Sequence, residues 1–317
     1  MPATAPLSRG AAIAPGYEAI EHLSRGCRLD VYDAWSEERG CRCVIKAVRP
    51  ERASEEEPRR MLLREGHLLE QLSHPHLVRG YETLEEPVPL VVMETLGGQT
   101  LAHAIEKQEE LSPVELAHLG LHLATAMRYL HAHGFLHLDL KPSNVVAEAG
   151  RAKVIDLSLA RPPGPAPAGI GTWCYLAPEQ ATGGELGAAA DVWGIGAVLF
   201  EAATCSPAFD DPQSATADPA GEGSGNLDTW HSEDESGSYP QLEARAGPVG
   251  TLRDLPPALA GLIDSCLEPA AERRPVLEEL LEALEPLAGI PPAERRFQRS
   301  GTAPRHLLPA AGCSPRR

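Results

Sequence analysis

Residues 137–144 of the chain read His-Leu-Asp-Leu-Lys-Pro-Ser-Asn. They follow a long helical segment and precede the apolar pair Val145-Val146, so the pattern predicts a polar loop between a helix and a short strand. The helix should begin at Ser112, since an N-cap, a proline and a capping-box glutamate stand there in order, and end at Gly134. Alone, a loop with His, Asp and Asn is usually only a polar turn. Its meaning depends on the other motifs of the chain.

The loop fits the pattern H-R-D-L-x-x-x-N at every fixed position except Leu138, which stands where arginine is usual. Through this motif the chain resembles the protein kinase family. The resemblance implies that Asp139 accepts the proton of a substrate hydroxyl and that Asn144 binds magnesium. Lys141 would neutralise charge on the transferring phosphoryl group. The implied fold is α+β and bilobal, with a small β-rich N-lobe carrying helix αC and a larger, mainly helical C-lobe.

From residue 17 onward the sequence predicts short strands separated by turns. Residues 23–31 align with the glycine-rich loop of kinases but keep only the middle glycine, Gly26, with Ser24 and Leu29 at the other two glycine positions. Glycine suits this loop because it lets the backbone approach phosphate oxygens closely. Without the other motifs, the segment would indicate an ordinary hairpin turn.

Residues 41–48 resemble the kinase strand whose lysine, here Lys46, pairs the α and β phosphates. Strand alternation places Val44 on the same face as Lys46 and places Cys41 and Cys43 on the opposite face. These cysteines have no second Cys/His pair at a zinc-like spacing, so we interpret them as packing residues.

Residues 58–72 have helical periodicity, and their apolar stripe includes Glu65. A carboxylate on a buried face needs a partner. The resemblance implies that this partner is Lys46 and that Glu65 is the αC glutamate, whereas Glu57 and Glu70 are interpreted as solvated.

An apolar strand at residues 88–94 runs into Gly97-Gly98, a predicted connector between the lobes. The resemblance implies that Met93 guards the back of the adenine pocket and that the backbone from Glu94 to Leu96 hydrogen-bonds the base. The expected ATP-binding residues are Leu23, Gly26, Val31, Val44, Lys46, Met93, Glu94, Leu96 and Val146.

Residues 156–158 read Asp-Leu-Ser at the place of the kinase motif D-F-G. The resemblance implies that Asp156 and Asn144 hold the Mg²⁺ or Mn²⁺ ion that bridges the nucleotide phosphates. Leu157 keeps an apolar side chain, whereas Ser158 replaces the glycine that gives this turn its conformational freedom.

Residues 171–179 end in the A-P-E motif, and the family pattern pairs its glutamate, Glu179, with Arg274. Asp191 is expected to brace the catalytic-loop backbone. Lys141, together with Thr172 ahead of A-P-E, matches the serine/threonine-type kinase pattern rather than the tyrosine-type pattern.

Kinases that require activation-loop phosphorylation bind the phosphate with the arginine before the catalytic aspartate. Leu138 lacks the charge for this, and residues 159–170 contain no serine or threonine. Both departures predict activity that does not depend on phosphorylation of this loop.

The chain has 317 residues and a formal net charge of −17, which argues against general affinity for nucleic acid or anionic membrane. Its seven cysteines have irregular spacing, which favours reduced thiols and a cytoplasmic location. No apolar stretch is long enough to span a membrane. Protein substrates and ATP are the expected partners, and the oligomeric state is left open.

The resemblance and the composition together divide the chain into three parts. Residues 1–16 are predicted to be a flexible segment and 17–288 a kinase domain, with an N-lobe at about 17–96 and a C-lobe at about 97–288. An acidic, Gly- and Ser-rich stretch at about 206–247 is predicted to be a flexible insertion, and 289–317 a basic flexible tail.

The predicted function is that of a serine/threonine protein kinase, and two alternatives remain. A pseudokinase, acting as a nucleotide-binding scaffold, is suggested by the departures at Ser24, Leu29, Leu138 and Ser158. A small-molecule phosphotransferase would generally lack the A-P-E segment and its arginine.

Overall fold

The computed structural model describes residues 5–209 and 239–290. The strands are β1 (Ala12–Ala14), β2 (Tyr17–Arg25), β3 (Leu29–Ser36), β4 (Cys41–Val48), β5 (Gly80–Leu84), β6 (Leu90–Glu94), β7 (Gln99–Thr100), β8 (Val145–Glu148), β9 (Arg151–Val154), β10 (Gly164–Ala166) and β11 (Gly184–Leu186). The α-helices are α1 (Glu56–Gln71), α2 (Leu101–Glu106), α3 (Pro113–Ala132), α4 (Pro178–Thr182), α5 (Ala188–Thr204), α6 (Pro240–Glu243), α7 (Pro257–Cys266) and α8 (Leu277–Leu287). The predicted α+β fold, with a β-rich N-lobe and a mainly helical C-lobe, is confirmed.

The N-lobe is an antiparallel sheet in the order β1-β2-β3-β4-β6-β5, with α1 packed against β4, β5 and β6. Along β4, Cys43 and Ile45 are buried in a small core on one face. Val44 and Lys46 lie on the other face, as the alternation predicts, and Val44 packs against the main core. The sheet therefore presents Lys46 to α1.

In the C-lobe, α3 packs against α5 and α8, and Trp193 of α5 is fully buried in this core. The predicted capping box of α3 is present: the Ser112 side chain accepts from the Glu115 N–H, and the Glu115 carboxylate accepts from the Ser112 N–H. The loop at 137–144 leads directly into β8, the central strand of the short sheet β7-β8-β9. Within residues 5–209 and 239–290, we find no helix with the length and apolar character that crossing a membrane requires.

The structure corrects the predicted flexible N-terminal segment. Residues 12–14 form β1, which pairs with β2, and Ala14 is buried. The N–H of Leu7 donates to the hydroxyl of Tyr32 at 3.2 Å. A run of three apolar residues, Ala12 to Ala14, is too short to predict a strand without knowledge of its partner strand. Residues 1–4 lie outside the described part of the chain.

The ends of the predicted acidic insertion are also packed. Phe209 is buried and stacks on Trp193, with ring centroids 5.6 Å apart. Gln241 is buried and donates to the carbonyl oxygens of Trp173 and Leu176. The part of the predicted flexible insertion from 210 to 238 lies outside the described residues. The same is true of 291–317 in the predicted tail.

A group of histidines joins the N-lobe to α3 and β9. His76 and His122 stack with centroids 4.0 Å apart, and both contact the Ala152 backbone. His76 Nδ1 donates to the carbonyl of Ala152, and His122 Nδ1 accepts from its N–H. Burial lowers the pKa of both rings, that of His122 to about 4. These contacts give both histidines a structural role.

We expect acid to weaken this junction. An unfolded histidine titrates near 6.5, whereas folded His122 stays neutral to about 4, so the unfolded chain binds the extra proton and stability falls as pH drops through that window. Between pH 7 and pH 5, His122→Gln should lose less free energy of unfolding than the wild type, by about 1 kcal/mol after allowance for solvent screening. Urea unfolding at both pH values measures this. The exposed His103→Gln variant should follow the wild type, and equal pH dependence in all three proteins would contradict the expectation.

Candidate active site

Lys46 lies between two carboxylates at the junction of the lobes. Its Nζ is 2.7 Å from Glu65 Oε1 and 3.3 Å from Asp156 Oδ2. The predicted contact between Lys46 and Glu65 is therefore present. Glu65 Oε1 also accepts from the N–H of Leu157, so one buried carboxylate connects α1, β4 and the Asp-Leu-Ser turn. Helix α1 begins at Glu56, two residues before the start at Pro58 that the sequence predicts.

The charges of these three groups depend on one another. Burial raises the pKa of Glu65 to about 7, although Lys46 opposes the shift. Burial is the largest influence on Asp156 and would raise its pKa, but the Lys46 ammonium, hydrogen bonds from Ser158 and the Lys141 charge together outweigh burial and hold that pKa well below its usual range. The two carboxylates in turn raise the pKa of Lys46 against the effect of its burial. Near neutral pH the site therefore holds a charged Lys46 and an ionised Asp156.

The loop at 137–144 brings Asp139, Lys141 and Asn144 together. Thr172 Oγ1 donates to Asp139 Oδ1 at 2.7 Å, and Lys141 Nζ donates to Thr172 Oγ1 at 2.7 Å. Lys141 Nζ is also 3.2 Å from Asp139 Oδ2. Asn144 Nδ2 donates to the carbonyl of Asp139 at 2.9 Å and to its Oδ2 at 3.1 Å. The Asp139 carboxylate is thus oriented from three sides.

The donor atoms near this loop fit a hard divalent cation. Asn144 uses its nitrogen on Asp139, so its oxygen is the side-chain atom suited to a metal, and Asp156 contributes an ionised carboxylate. Within residues 5–209 and 239–290, no group of three or more His, Cys, Asp or Glu residues is arranged so that it could hold a metal ion. An ion here would therefore take its remaining ligands from phosphate or water, as Mg²⁺ commonly does.

The predicted nucleotide-binding residues lie on the elements that surround Lys46. Val31 of β3 pairs with Lys46, and Met93, at the end of β6, is buried. Glu94 is paired with Lys153, and its N–H donates to the carbonyl of Arg79 at 3.0 Å. This N–H is therefore already used, and hydrogen bonding of a base by the backbone from Glu94 to Leu96 stays a prediction. The remaining positions are Leu23 in β2, Gly26 before β3, Val44 in β4, Leu96 after β6 and Val146 in β8.

Sequence reasoning missed the ion pairs that hold the hairpin β2–β3. Asp30 is almost fully buried, and both its oxygens accept from Arg25 at 2.7 Å. His22 Nε2 lies 3.0 Å from the same carboxylate. Arg49 Nη1 donates to the carbonyl of Gly26 at 2.9 Å. The available signal was that Arg25 and Asp30 flank the turn symmetrically and therefore pair across the strands.

The segment from the Asp-Leu-Ser turn to α5 is held at several points. β10 pairs antiparallel with β11. Glu179 and Arg274 form the predicted ion pair, with an Nη1 to Oε1 distance of 2.6 Å. Asp191 accepts from the N–H groups of His137 and Leu138 at 2.9 and 2.8 Å, as predicted. The catalytic loop and the A-P-E segment are therefore both fixed to the C-lobe.

The match to a family model described as "Protein kinase domain" covers residues 17–284, and the chain belongs to the protein kinase family. A probable serine/threonine-protein kinase of Streptomyces coelicolor is 32% identical over 206 residues, which cover 61% of this chain and 31% of that protein. The probable serine/threonine-protein kinase PkwA of Thermomonospora curvata is 31% identical over 276 residues, covering 84% and 34%. Serine/threonine-protein kinase PknB of Mycobacterium tuberculosis is 32% identical over 203 residues, covering 59% and 30%. The chain spans about a third of the length of these curated relatives.

Proposed function

We propose that the chain is a serine/threonine protein kinase, which transfers the γ-phosphoryl group of ATP to serine or threonine hydroxyls of protein substrates. The observation that carries this proposal is the contact of Lys46 with both Glu65 and Asp156. Kinase catalysis requires the ion pair between this lysine and the helix glutamate, and it requires the metal-binding aspartate to be in place at the same time. The names of the curated relatives support the acceptor class.

In this proposal each polar side chain of the site has a separate task. Lys46 binds the α and β phosphates, and Glu65 holds the lysine in position. Asn144 and Asp156 hold Mg²⁺ or Mn²⁺, which offsets phosphate charge when bound. Asp139 orients the substrate hydroxyl and accepts its proton, because it is the only acidic residue of the loop at 137–144. Lys141, 3.2 Å from Asp139, stabilises charge on the transferring group.

The test is a transfer assay with purified protein, ATP, Mg²⁺ or Mn²⁺ and a generic basic protein substrate. Mass spectrometry then identifies the modified side chains. Phosphoserine or phosphothreonine is the expected product, and phosphotyrosine alone would contradict the acceptor class. ATP binding without any transfer would favour the pseudokinase alternative. Transfer to small molecules but not to protein would favour the other alternative.

We further propose that activity does not depend on activation-loop phosphorylation. Leu138 is buried and apolar, and β10 within this loop is already paired with β11. Protein treated with a broad-specificity phosphatase should therefore keep its transfer rate within about two-fold, because order in the loop comes from these contacts. Phosphate mapped to residues 159–175, together with a rate that falls when it is removed, would contradict this.

We also propose a cytoplasmic location, with ATP and proteins rather than nucleic acid as partners. Among the residues that the structure describes, the cysteines at positions 27, 41, 43, 174, 205 and 266 form no disulfide, which suits a reducing compartment. The net charge of −17 opposes nucleic acid binding.

A further inference from the structure

Gln180 lies in the first turn of α4, directly after the A-P-E glutamate, and is only 2% exposed. Its Nε2 donates to two backbone carbonyls, that of Leu138 at 2.9 Å and that of Ile170 at 2.7 Å. Its Oε1 accepts from the N–H of Ala177 at 3.1 Å. Both amide hydrogens and the amide oxygen therefore have partners, and the side chain has a fixed orientation.

Leu138, the residue before the catalytic aspartate, has an unusual backbone conformation. Its φ is +65°, in the left-handed region that a leucine with its Cβ rarely adopts. Its side chain is buried, its N–H donates to Asp191, and its carbonyl accepts from Gln180. Such a conformation persists only where the surroundings determine it. Here the buried side chains of Asp191 and Gln180 hold the N–H and the carbonyl of Leu138, respectively.

The same glutamine also reaches the end of the activation loop. The backbone carbonyl of Gln180 accepts from the N–H of Gly169 at 2.7 Å, and its side chain holds Ile170. Gly171 follows with φ of +127°, and a Cβ there would lie 2.9 Å from the Leu138 carbonyl and 2.5 Å from a Leu176 side-chain atom. The loop and the residue before Asp139 therefore meet at one closely packed point.

We infer that Gln180 is a positioning residue for phosphoryl transfer. It ties the end of the activation loop to the left-handed residue before Asp139, and so fixes the direction of the catalytic carboxylate. This link joins the same two segments that a loop phosphate and an arginine at position 138 would join, but through neutral hydrogen bonds. The inference rests on the proposed kinase function for its effect on rate, and on the described contacts alone for its effect on the loops.

The test uses the full chain with Gln180→Met, which keeps length and volume but removes the hydrogen bonds. We expect kcat to fall about 10- to 100-fold with the KM for ATP within about two-fold, because a small misplacement of a catalytic group is costly in rate. Gln180→Glu, which keeps an acceptor for Ala177 but loses both donors, should behave alike and serves if the first variant does not fold. Ile263→Val, a buried change in α7, is the control for lost stability alone.

Hydrogen exchange provides a readout that needs no catalysis. In both Gln180 variants, exchange at residues 136–140 and 167–171 should rise at least ten-fold above the wild type, whereas Ile263→Val should leave these segments unchanged. A kcat within about three-fold of the control, or unchanged exchange in the two segments, would overturn the inference. If the wild type transfers no phosphate, the proposed function fails, and exchange alone then decides whether Gln180 holds the loops together.

Discussion

Replacing Asp139 with asparagine should lower kcat by about 10² to 10⁴, the range expected when a positioned proton acceptor is lost. Asparagine keeps the size of the side chain and can still accept from Thr172, whose hydroxyl is 2.7 Å from Asp139 Oδ1. It carries no charge and does not accept the substrate proton. The KM for ATP should stay within about two-fold, since the nucleotide is held by other residues. Steady-state transfer rates at varied ATP concentration measure both quantities.

The matched control for this variant is Asp264→Asn. Asp264 lies in α7, where its Oδ1 accepts from the N–H of Val249 at 2.9 Å, so the change removes a carboxylate with a structural contact only. It should lower thermal stability slightly and leave kcat unchanged. Equal rates for wild type and Asp139→Asn would refute the role given to Asp139, as would an equal loss in both variants.

Replacing Arg274 with methionine should reduce the free energy of unfolding by about 3–5 kcal/mol, the usual loss when one partner of a buried ion pair is removed. The Arg274 side chain has no exposed surface, and its Nη1 and Nη2 lie 2.6 and 2.8 Å from the Glu179 oxygens. Its guanidinium also donates to the carbonyls of Glu268, Ala189 and Pro269. Without it, a carboxylate and three carbonyls lose their donors. This is a large share of the total of about 5–15 kcal/mol typical of folded domains.

Urea unfolding at neutral pH measures this loss, with Arg245→Met as the control. Arg245 pairs with Glu268 at 2.9 Å, but its side chain is 62% exposed, so its removal should cost only about 0–1 kcal/mol. The double variant Arg274→Met with Glu179→Met should recover part of the loss, because the isolated charge is then also gone. Similar losses for the two arginine variants would contradict the account of the buried pair.

The motifs of the active site were predictable because each is local in sequence. Glu65 was distinguished from its neighbours by its place on an apolar helical stripe, and the structure pairs it with Lys46. The capping box at Ser112 likewise follows from four consecutive residues. The roles of these side chains in catalysis remain predictions that the proposed assays test.

The unpredicted features depend on contacts between distant segments. Gln180 is hydrogen-bonded to Leu138, which is 42 positions earlier in the chain, and to Ile170, which is 10 positions earlier. Nothing in the sequence around position 180 points to Leu138. Arg49 lies directly after β4 and reaches the carbonyl of Gly26, so its contact with the glycine-rich loop depends on how β3 and β4 pair. The left-handed backbone of Leu138 is also invisible in sequence, because leucine does not favour it.

The most direct test of the central claim follows the γ-phosphoryl group itself. The purified 317-residue chain is incubated with a protein substrate, Mg²⁺ and ATP labelled at either the γ or the α phosphate, and label on the substrate is counted after hydrolysis to phosphoamino acids. We expect γ label on serine or threonine and no label from α-labelled ATP. Absence of γ label on these residues, in a preparation that is folded and binds ATP, would contradict the account.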